Sequence, residues 1–351
     1  QHNNNKLTKP STTPPNLLEL TPPPELYDAP LTRDVHQDNA PLGTHQLSSK
    51  PQNRPPLLGD ALRDETENIV ADAIALAACS GLVVGAAEPN TLAHAPFSLL
   101  PAAVPASELA RAYELAPLFN KLVERVAADL PWLEQTLRLT ARSDDFTGRL
   151  LKMCSKVHGE GLAQKAVLAV LRSDYMLHEP AVEKASDEAA AEPRLLQVEL
   201  NTIAASFGSL STRVSELHRS LAQRWPPLRD TLWRARGSPR QLSLAEALPR
   251  NEALGRIAEA LALAHREYCA QSGSNAADAA VLFVVQPGER NFADQRLLQQ
   301  RLFDDHAVPS IFRSLAQVEH AGRLDSRRSL RVDGAEVSVS YFRAGYTPDD
   351  Y

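Results

Sequence analysis

The sequence has no long apolar run, no excess of basic residues and few cysteines. Its longest apolar stretch, around residues 69–84, is interrupted by Asp72, Ser80 and Gly81 and falls short of the roughly 18 apolar residues that a membrane-spanning helix needs. We therefore predict that the chain does not cross a bilayer. A formal net charge of -6, with no block rich in Lys and Arg, does not favour nucleic acid as a partner.

The cysteines and the common catalytic motifs exclude several chemistries. Cys79, Cys154 and Cys269 are far apart and show no C-x-x-C spacing, so zinc and redox pairs are not indicated. We predict free thiols in a reducing compartment, the cytoplasm. The chain has no H-x-x-x-H, G-x-S-x-G, P-loop or G-x-G-x-x-G motif, and catalysis by zinc, a covalent serine or a histidine base is therefore unsupported.

The first 58 residues differ in composition from the rest. They hold eleven of the 26 prolines and one aromatic residue, Tyr27, so they cannot bury enough apolar surface to offset the loss of chain entropy. We predict a disordered arm over residues 1–58 that acts as a linker. The alternative is a transit peptide, which would direct the protein to a plastid or mitochondrion.

From residue 60 the chain, 43% hydrophobic overall, shows regular helix and strand patterns. Apolar residues at helical spacing predict a helix around residues 69–77, and another is predicted over residues 243–270. Two strand-like runs, 166–177 and 194–201, predict a hairpin, and the apolar run at 279–285 predicts a strand covered on both faces. The Asp333-Gly334 pair predicts a tight turn between two further strands. Together these patterns predict an α/β or α+β fold with a mixed sheet.

The strand at residues 194–201 carries polar side chains in an apolar run. Alternation along a strand places Glu199 and Asn201 on the same face, roughly 6 to 7 Å apart. Two oxygen ligands at this spacing suit Mg²⁺, which takes few protein ligands and fills its octahedron with water and substrate phosphates. The alternative is a solvated strand face. Small residues follow as far as Gly208, which favours close approach of the backbone to a ligand.

Other polar clusters also lie next to predicted strands. Arg172 and Asp174 share a face of the first hairpin strand, where Arg172 either holds a substrate carboxylate in bidentate fashion or forms a structural ion pair. The turn after strand 279–285 gathers polar residues at the carboxyl end, where open α/β sheets bind ligands; ordinary helix-start chemistry is the alternative. These residues are Glu289, Arg290, Asn291 and Gln295.

Taken together, the segments resemble eukaryotic glutathione synthetase over residues 60–351. The resemblance rests on these pieces of the sequence: HAPFSLLP, DDFTGRLL, LRSDYM, QVELNTIAASFGSLSTRVSELHRSL, GERNFADQ and VSYFRAGYTP. It implies an ATP-grasp-like fold with a separate substrate-binding domain, and a homodimer. We accordingly expect a main body over residues 59–275 and the start of the substrate-binding domain over residues 276–351.

The resemblance also implies an activity, the ATP-dependent ligation of γ-glutamylcysteine to glycine through an acyl phosphate, with Mg²⁺. In such a reaction catalysis is mainly positioning and charge neutralisation, which agrees with the lack of a general-base motif. By position, Glu199 and Asn201 match the magnesium pair, Glu199 lies close to ATP, and Arg172 holds a substrate carboxylate. The positions matching the family's substrate contacts are Ile203, Ala204, Ala205, Ser206, Glu289, Arg290, Asn291, Gln295, Arg343, Ala344, Gly345 and Tyr346.

Three positions depart from the family's usual residues. Ala204 replaces a common serine, Ser209 a frequent glycine, and Ala344 an acidic or polar residue of some members. The family's ATP-binding lysines, glycine-rich lid loop and third magnesium ligand lie beyond the point that corresponds to Tyr351. We therefore expect the chain as given to be an inactive fragment of the ligase. The alternative is a non-catalytic homologue that acts as a substrate-binding or dimerisation module.

Overall fold

The computed structural model describes residues 16–17, 65–88, 91–162, 166–178, 193–235 and 243–351. The predicted N-terminal arm lies outside the described residues, apart from a two-residue strand, β1 (Asn16–Leu17), which pairs in parallel with residues 166–167. In the described part of the chain, no helix is long and apolar enough to cross a membrane.

Helices dominate the first part of the described chain. Helix α1 (Thr66–Cys79) confirms the helix predicted around residues 69–77 and buries one face of apolar side chains. Strands β2 (Val83–Gly85) and β3 (Leu92–His94) then form a short antiparallel pair. The helices that follow are α2 (Ala106–Ala128), α3 (Leu130–Leu137), α4 (Thr140–Ser143) and α5 (Asp145–Glu160).

The predicted hairpin is present, but its first run is not one continuous strand. That run contains β4 (Ala166–Val167) and β5 (Arg172–His178), and the partner strand is β6 (Arg194–Asn201). Strands β5 and β6 pair antiparallel, with a register shift after Asp174. The insert that joins them lies mostly outside the described residues.

Four helices of the described chain lie between the hairpin and the last sheet. Helix α6 (Gly208–Arg224) continues into α7 (Pro226–Ala235). The prediction of one helix over residues 243–270 was wrong, because the structure has α8 (Leu244–Ala247) and then α9 (Ala253–Ser272). Pro249 lies in the break, and a proline inside a helix removes a backbone donor and clashes with the preceding turn.

The last part of the chain forms a mixed sheet, as predicted. Its strand order is β8-β7-β11-β10-β9, with β7 parallel to both β8 and β11 and β10 antiparallel to its neighbours. The elements are β7 (Ala279–Val284), α10 (Phe292–His306), β8 (Ser310–Arg313), α11 (Leu315–Ala321), β9 (Gly322–Leu324), β10 (Leu330–Val332), β11 (Ala335–Phe342) and a final 3₁₀ turn (Pro348–Asp350).

Both sequence signals in this sheet are confirmed. All six residues of β7 are buried, as expected for a strand with parallel neighbours on both sides. Asp333 and Gly334 have φ values of 51° and 86°, which are the positive angles that a tight hairpin turn of this hand requires.

Two apolar clusters position the elements. The larger one packs α9 and α10 against β7 and β11, with Phe283 stacked on Phe312 and edge-on to Tyr341. The second joins α1 and α6 and includes Ala293, near the start of α10. The N-terminal ends of α6 and α10 are therefore held against one core. The predicted domain boundary at residue 275 falls between α9 and β7 and stays a prediction.

A buried carboxylate on β11 links the sheet to the end of helix α9 and the residues that follow it. Glu336 on β11 accepts hydrogen bonds from Ser274 Oγ at 2.5 Å and Tyr268 Oη at 2.8 Å, and it pairs with Arg331 Nη2 at 2.9 Å. The Ser274 hydrogen bond is the main cause that holds the pKa of Glu336 below its ordinary value, with Tyr268 and the nearby arginines adding to it against the effect of burial.

We predict that Glu336 makes stability depend on pH in the acid range. Because its folded-state pKa is lowered, its stabilisation is complete above the unfolded value of about 4.3 and is lost as the pH falls through the folded-state pKa. Glu336→Gln should reduce the free energy of unfolding by about 2 kcal/mol at pH 7 and flatten its decline below pH ~4.3. Urea unfolding across this range, with exposed Glu319→Gln as the control, measures both effects. An equal decline in both variants would contradict the assignment.

Candidate functional site

Four polar side chains lie on one face of the β5–β6 hairpin. The register places Arg172 opposite Asn201 and Asp174 opposite Glu199, so the shared face that alternation predicts for each strand becomes a cross-strand cluster. Asn201 Nδ2 donates to Glu199 Oε1 at 3.1 Å and to Asp174 Oδ2 at 3.3 Å. Glu199 is exposed and the other three are half-buried.

Arg172 forms the ion pair that the sequence left open as one of two alternatives. Its Nε donates to Asp174 Oδ1 at 2.8 Å and its Nη2 to Oδ2 at 2.9 Å, a bidentate pair. The third guanidinium nitrogen, Nη1, lies 3.3 Å from Ser206 Oγ, and the group lies 5.9 Å from the centre of the Phe207 ring. Arg172 therefore links the hairpin to the loop that follows β6.

That loop, residues 202–207, has a constrained backbone. Ala204 and Phe207 have φ values of 52° and 69°, in the left-handed region that costs a non-glycine residue roughly 1 to 2 kcal/mol. Contacts elsewhere must compensate for this strain. The loop ends at helix α6, whose first backbone N–H groups have no intrahelical acceptor.

Asp294 supplies that compensation, and sequence reasoning did not select it. Its Oδ2 accepts from the Phe207 N–H at 3.0 Å, and its Oδ1 accepts from the N–H groups of Ser209 at 2.9 Å and Leu210 at 3.1 Å. The side chain is almost fully buried. A carboxylate on α10 thus caps helix α6 from outside, where negative charge is favoured by the helix dipole.

Arg343 completes this cluster, which we call the Asp294 network (Phe207, Ser209, Leu210, Asp294 and Arg343). Arg343 Nη1 lies 3.0 Å from Asp294 Oδ2, and both side chains are 3% exposed. Ser209 Oγ donates to the Asp294 carbonyl at 2.7 Å, so the serine that departs from the family pattern bonds within the network. The network joins three segments that carry predicted substrate contacts: the loop after β6, the start of α10 and the end of β11.

The end of the chain is fixed by a second carboxylate that the sequence did not indicate. Asp350 Oδ2 accepts from the N–H groups of Gly345 at 2.9 Å, Tyr346 at 3.1 Å and Thr347 at 3.0 Å. Gln286 Nε2 donates to its Oδ1 at 3.0 Å. Burial acts to raise the pKa of Asp350, but the hydrogen bonds from Thr347 and its neighbours hold it below the ordinary value.

The predicted contact residues in the turn before α10 do not all point to the same site. Arg290 Nε donates to the Gly85 carbonyl at 2.9 Å, so this side chain joins strand β2 and is not part of the Asp294 network. Glu289 Oε1 accepts from the Asn291 N–H at 2.7 Å, which is the helix-start chemistry expected under the alternative interpretation of this turn. Ala344 is buried among apolar side chains beneath the sheet.

Buried polar atoms without partners mark the same region. In the part of the chain that the structure describes, Asn291 Oδ1, Gln295 Nε2 and Arg343 Nε are buried and have no hydrogen-bond partner. Such atoms are costly and rare in folded proteins. All three belong to residues predicted to contact substrate, and a polar ligand would satisfy them.

The hairpin face fits a sparsely coordinated magnesium ion. Glu199 and Asn201 offer carboxylate and amide oxygens on one face, the hard ligands that Mg²⁺ takes one or two at a time. Among the described residues no group of three or more His, Cys, Asp or Glu could hold a metal. A magnesium ion at Glu199 and Asn201 stays a prediction.

Comparison with known proteins gives consistent matches. The family model described as eukaryotic glutathione synthase, ATP binding domain, matches residues 63–324. The chloroplastic glutathione synthetases of Solanum lycopersicum and Arabidopsis thaliana are 41% and 35% identical over 260 and 344 residues, which is 74% and 95% of this chain. Human glutathione synthetase is 33% identical over 299 residues, 84% of this chain.

A solved structure supports the fold. A glutathione synthetase-like effector of Globodera pallida, in its apo form, superposes with a TM-score of 0.63 at 20% identity, covering 83% of this chain and 60% of that chain. The mixed α/β architecture and the predicted ATP-grasp-like fold class are in agreement with this likeness.

The chain matches only part of the length of each relative. The chain spans 42% of the Solanum lycopersicum protein, 58% of the Arabidopsis thaliana protein and 57% of the human protein, or about half the length of these relatives. The comparisons measure similarity and not activity, so they do not bear out the expectation of an inactive fragment. With a family model that covers residues 63–324, the chain belongs to the eukaryotic glutathione synthetase family.

Proposed function

We propose that the protein acts in the ATP-dependent joining of γ-glutamylcysteine to glycine. The observation that carries the proposal is the Asp294 network, which brings three sequence segments together around buried polar atoms that have no partner among the described residues. Gln295 Nε2 offers a donor and Asn291 Oδ1 an acceptor, a combination that suits the ammonium and carboxylate of a γ-glutamyl group.

The reaction forms and breaks bonds in two steps. A carboxylate oxygen of γ-glutamylcysteine attacks the γ-phosphorus of ATP, the bond to the bridging oxygen breaks, and ADP leaves. The glycine nitrogen then attacks the carbonyl carbon of the acyl phosphate, phosphate leaves, and the nitrogen releases a proton to solvent. The protein contributes mainly position and charge in both steps.

The hairpin face is proposed to serve the phosphates. Glu199 and Asn201 would hold Mg²⁺, which when bound neutralises charge on the phosphate oxygens. Arg172 lies beside this pair, and its bidentate contact with Asp174 fixes the guanidinium towards Ser206. It is therefore positioned to hold a substrate carboxylate next to the loop.

The backbone loops are proposed to hold the dipeptide. Residues 203–206 lie between the hairpin and the Asp294 network, and residues 345–347 are held in place because their backbone N–H groups donate to Asp350. The methyl group of Ala204 cannot donate a hydrogen bond as a serine would, so contacts here involve the backbone. Tyr346 Oη donates to Gln286 Oε1 at 3.2 Å, which restrains its ring.

Assembly and location are part of the same proposal. We propose a homodimer, on the basis of the family resemblance, and a cytoplasmic location for a chain with free cysteines. A plastid is the alternative location, because the two plant relatives are chloroplastic by name.

We predict that the protein releases ADP when given γ-glutamylcysteine, glycine, ATP and Mg²⁺, and that Glu199→Ala abolishes most of this activity because a metal ligand is lost.

Mn²⁺ is a paramagnetic probe of the same site, and its effect on water-proton relaxation with ATP present should fall in Glu199→Ala but not in the exposed control Glu319→Gln. Unchanged relaxation would overturn the metal assignment. No ADP release together with retained γ-glutamylcysteine binding would replace the ligase by the non-catalytic binding module.

We predict that Asp294→Asn destabilises the folded protein. The substitution leaves buried Arg343 without a countercharge and should lower the free energy of unfolding by about 3 kcal/mol. Asp305→Asn removes an exposed partner of Arg301 and should change stability by less than ~1 kcal/mol. Denaturant unfolding compares the two, and equal effects would show that the Asp294 network does not carry the stability assigned to it.

We predict that Gln295→Met separates binding from stability. The change removes a buried donor that has no partner in the part of the chain that the structure describes, so the thermal midpoint should stay the same or rise. The affinity for γ-glutamylcysteine should fall roughly tenfold with loss of one hydrogen bond to a charged group. Calorimetric titration and a thermal scan measure the two quantities. Unchanged affinity would exclude Gln295 from the substrate contacts.

A further inference from the structure

A polar groove of about 650 Å³ lies between helices α6, α9 and α10. None of the candidate-site residues lines it. Its volume falls in the range of about 300 to 1,000 Å³ that small-molecule sites usually have. We call it the arginine groove after five of its lining residues: Arg213, Arg219, Arg250, Arg256 and Arg301.

The charges in the arginine groove are unevenly balanced. Three of its arginines have a carboxylate partner on their own helix: Arg213 with Glu216 at 2.8 Å, Arg256 with Glu259 at 3.1 Å, and Arg301 with Asp305 at 2.7 Å. Arg219 on α6 and Arg250, just before α9, form no ion pair within the described ranges. The five arginines therefore exceed the four lining carboxylates, Glu216, Glu252, Glu259 and Asp305, by one charge.

Arg219 and Arg250 line the same groove. Burial is the main cause that lowers the pKa of Arg219, and the charge of Arg250 lowers it further. In the described part of the chain, Arg219 Nη1 and Arg213 Nε are buried without a hydrogen-bond partner. Like charges and unsatisfied donors at one place are unfavourable unless an anion joins them.

The groove has room for such an anion beside these groups. A side chain at Gly255, in the first turn of α9, would meet nothing within 4 Å, so this wall is open. The neighbouring N–H groups of Ala253 and Leu254 already donate to Asn251 Oδ1 and Thr212 Oγ1. The available donors are therefore the guanidinium groups, with the positive end of the α9 dipole adding to their field.

We propose that the arginine groove binds a small phosphate-bearing anion between Arg219 and Arg250. The planar guanidinium fork matches phosphate geometry, and a doubly charged group offsets both arginines. The carboxylates of Glu216, Glu252 and Asp305 also line the groove and disfavour an extended polyanion. The site does not depend on the proposed ligase activity, because it shares no residue with the candidate site.

Calorimetric titration of the whole chain tests the proposal with three probes: inorganic phosphate, pyrophosphate and AMP. Binding is expected for at least one of them, and the preferred probe distinguishes a free phosphate from a phosphate ester. Arg219→Gln and Arg250→Gln should each weaken it roughly tenfold or more, the usual effect of losing a charge-assisted hydrogen bond. Exposed Arg266→Gln on α9 is the matched control and should bind like the original protein.

Two further measurements distinguish binding in the arginine groove from a loss of folding and from binding at the hairpin face. Arg250 is exposed, so Arg250→Gln should fold, and relief of repulsion should leave its thermal midpoint unchanged or raised without phosphate while removing the rise that the bound probe causes. Glu199→Ala should keep the affinity for pyrophosphate. The proposal is overturned if no probe binds, if Arg219→Gln and Arg250→Gln both bind like the control, or if Glu199→Ala alone abolishes binding.

Discussion

The buried ion pair between Asp294 and Arg343 is the interaction on which the rest of the site depends. Asp294 accepts hydrogen bonds from three backbone N–H groups at the start of α6 and from Arg343, which follows β11. A charge buried at this depth is tolerated only when it is paired and fully hydrogen-bonded. The carboxylate therefore orders the loop after β6, the start of α10 and the end of the sheet at the same time.

This arrangement explains how a strained loop can persist beside the hairpin. Ala204 and Phe207 occupy backbone conformations that favour glycine, and the Asp294 network offsets that cost by satisfying the helix N-terminus. Asp350 does the same for residues 345–347. Rigid backbone around buried donors and acceptors reduces the ordering that a ligand must impose when it binds. Both carboxylates thus prepare the site without being among its predicted contact residues.

The elements whose patterns involve only neighbouring residues were predicted correctly from the sequence. The all-apolar run of β7, the Asp333-Gly334 turn and the alternation of Glu199 and Asn201 each depend on neighbouring residues only, and each is found as predicted. Sequence reasoning misjudged the helix around Pro249 and passed over Asp294, which stands between an alanine and a glutamine at the start of an ordinary helix. Its partners are 49 to 87 residues away along the chain, so no short pattern could indicate it.

The mixed α/β class, the hairpin and the family could be predicted from the sequence, because periodicity, turn chemistry and segment identity depend on consecutive residues. Which side chains meet was set by the tertiary structure. It turned Arg290 towards strand β2, tied Arg172 to Asp174, and left Gln295 Nε2 without a partner in the described chain. It also brought Arg219 and Arg250 to one groove. Such contacts depend on how α6, α9 and α10 pack, and packing is set by long-range burial of apolar surface that local patterns do not specify.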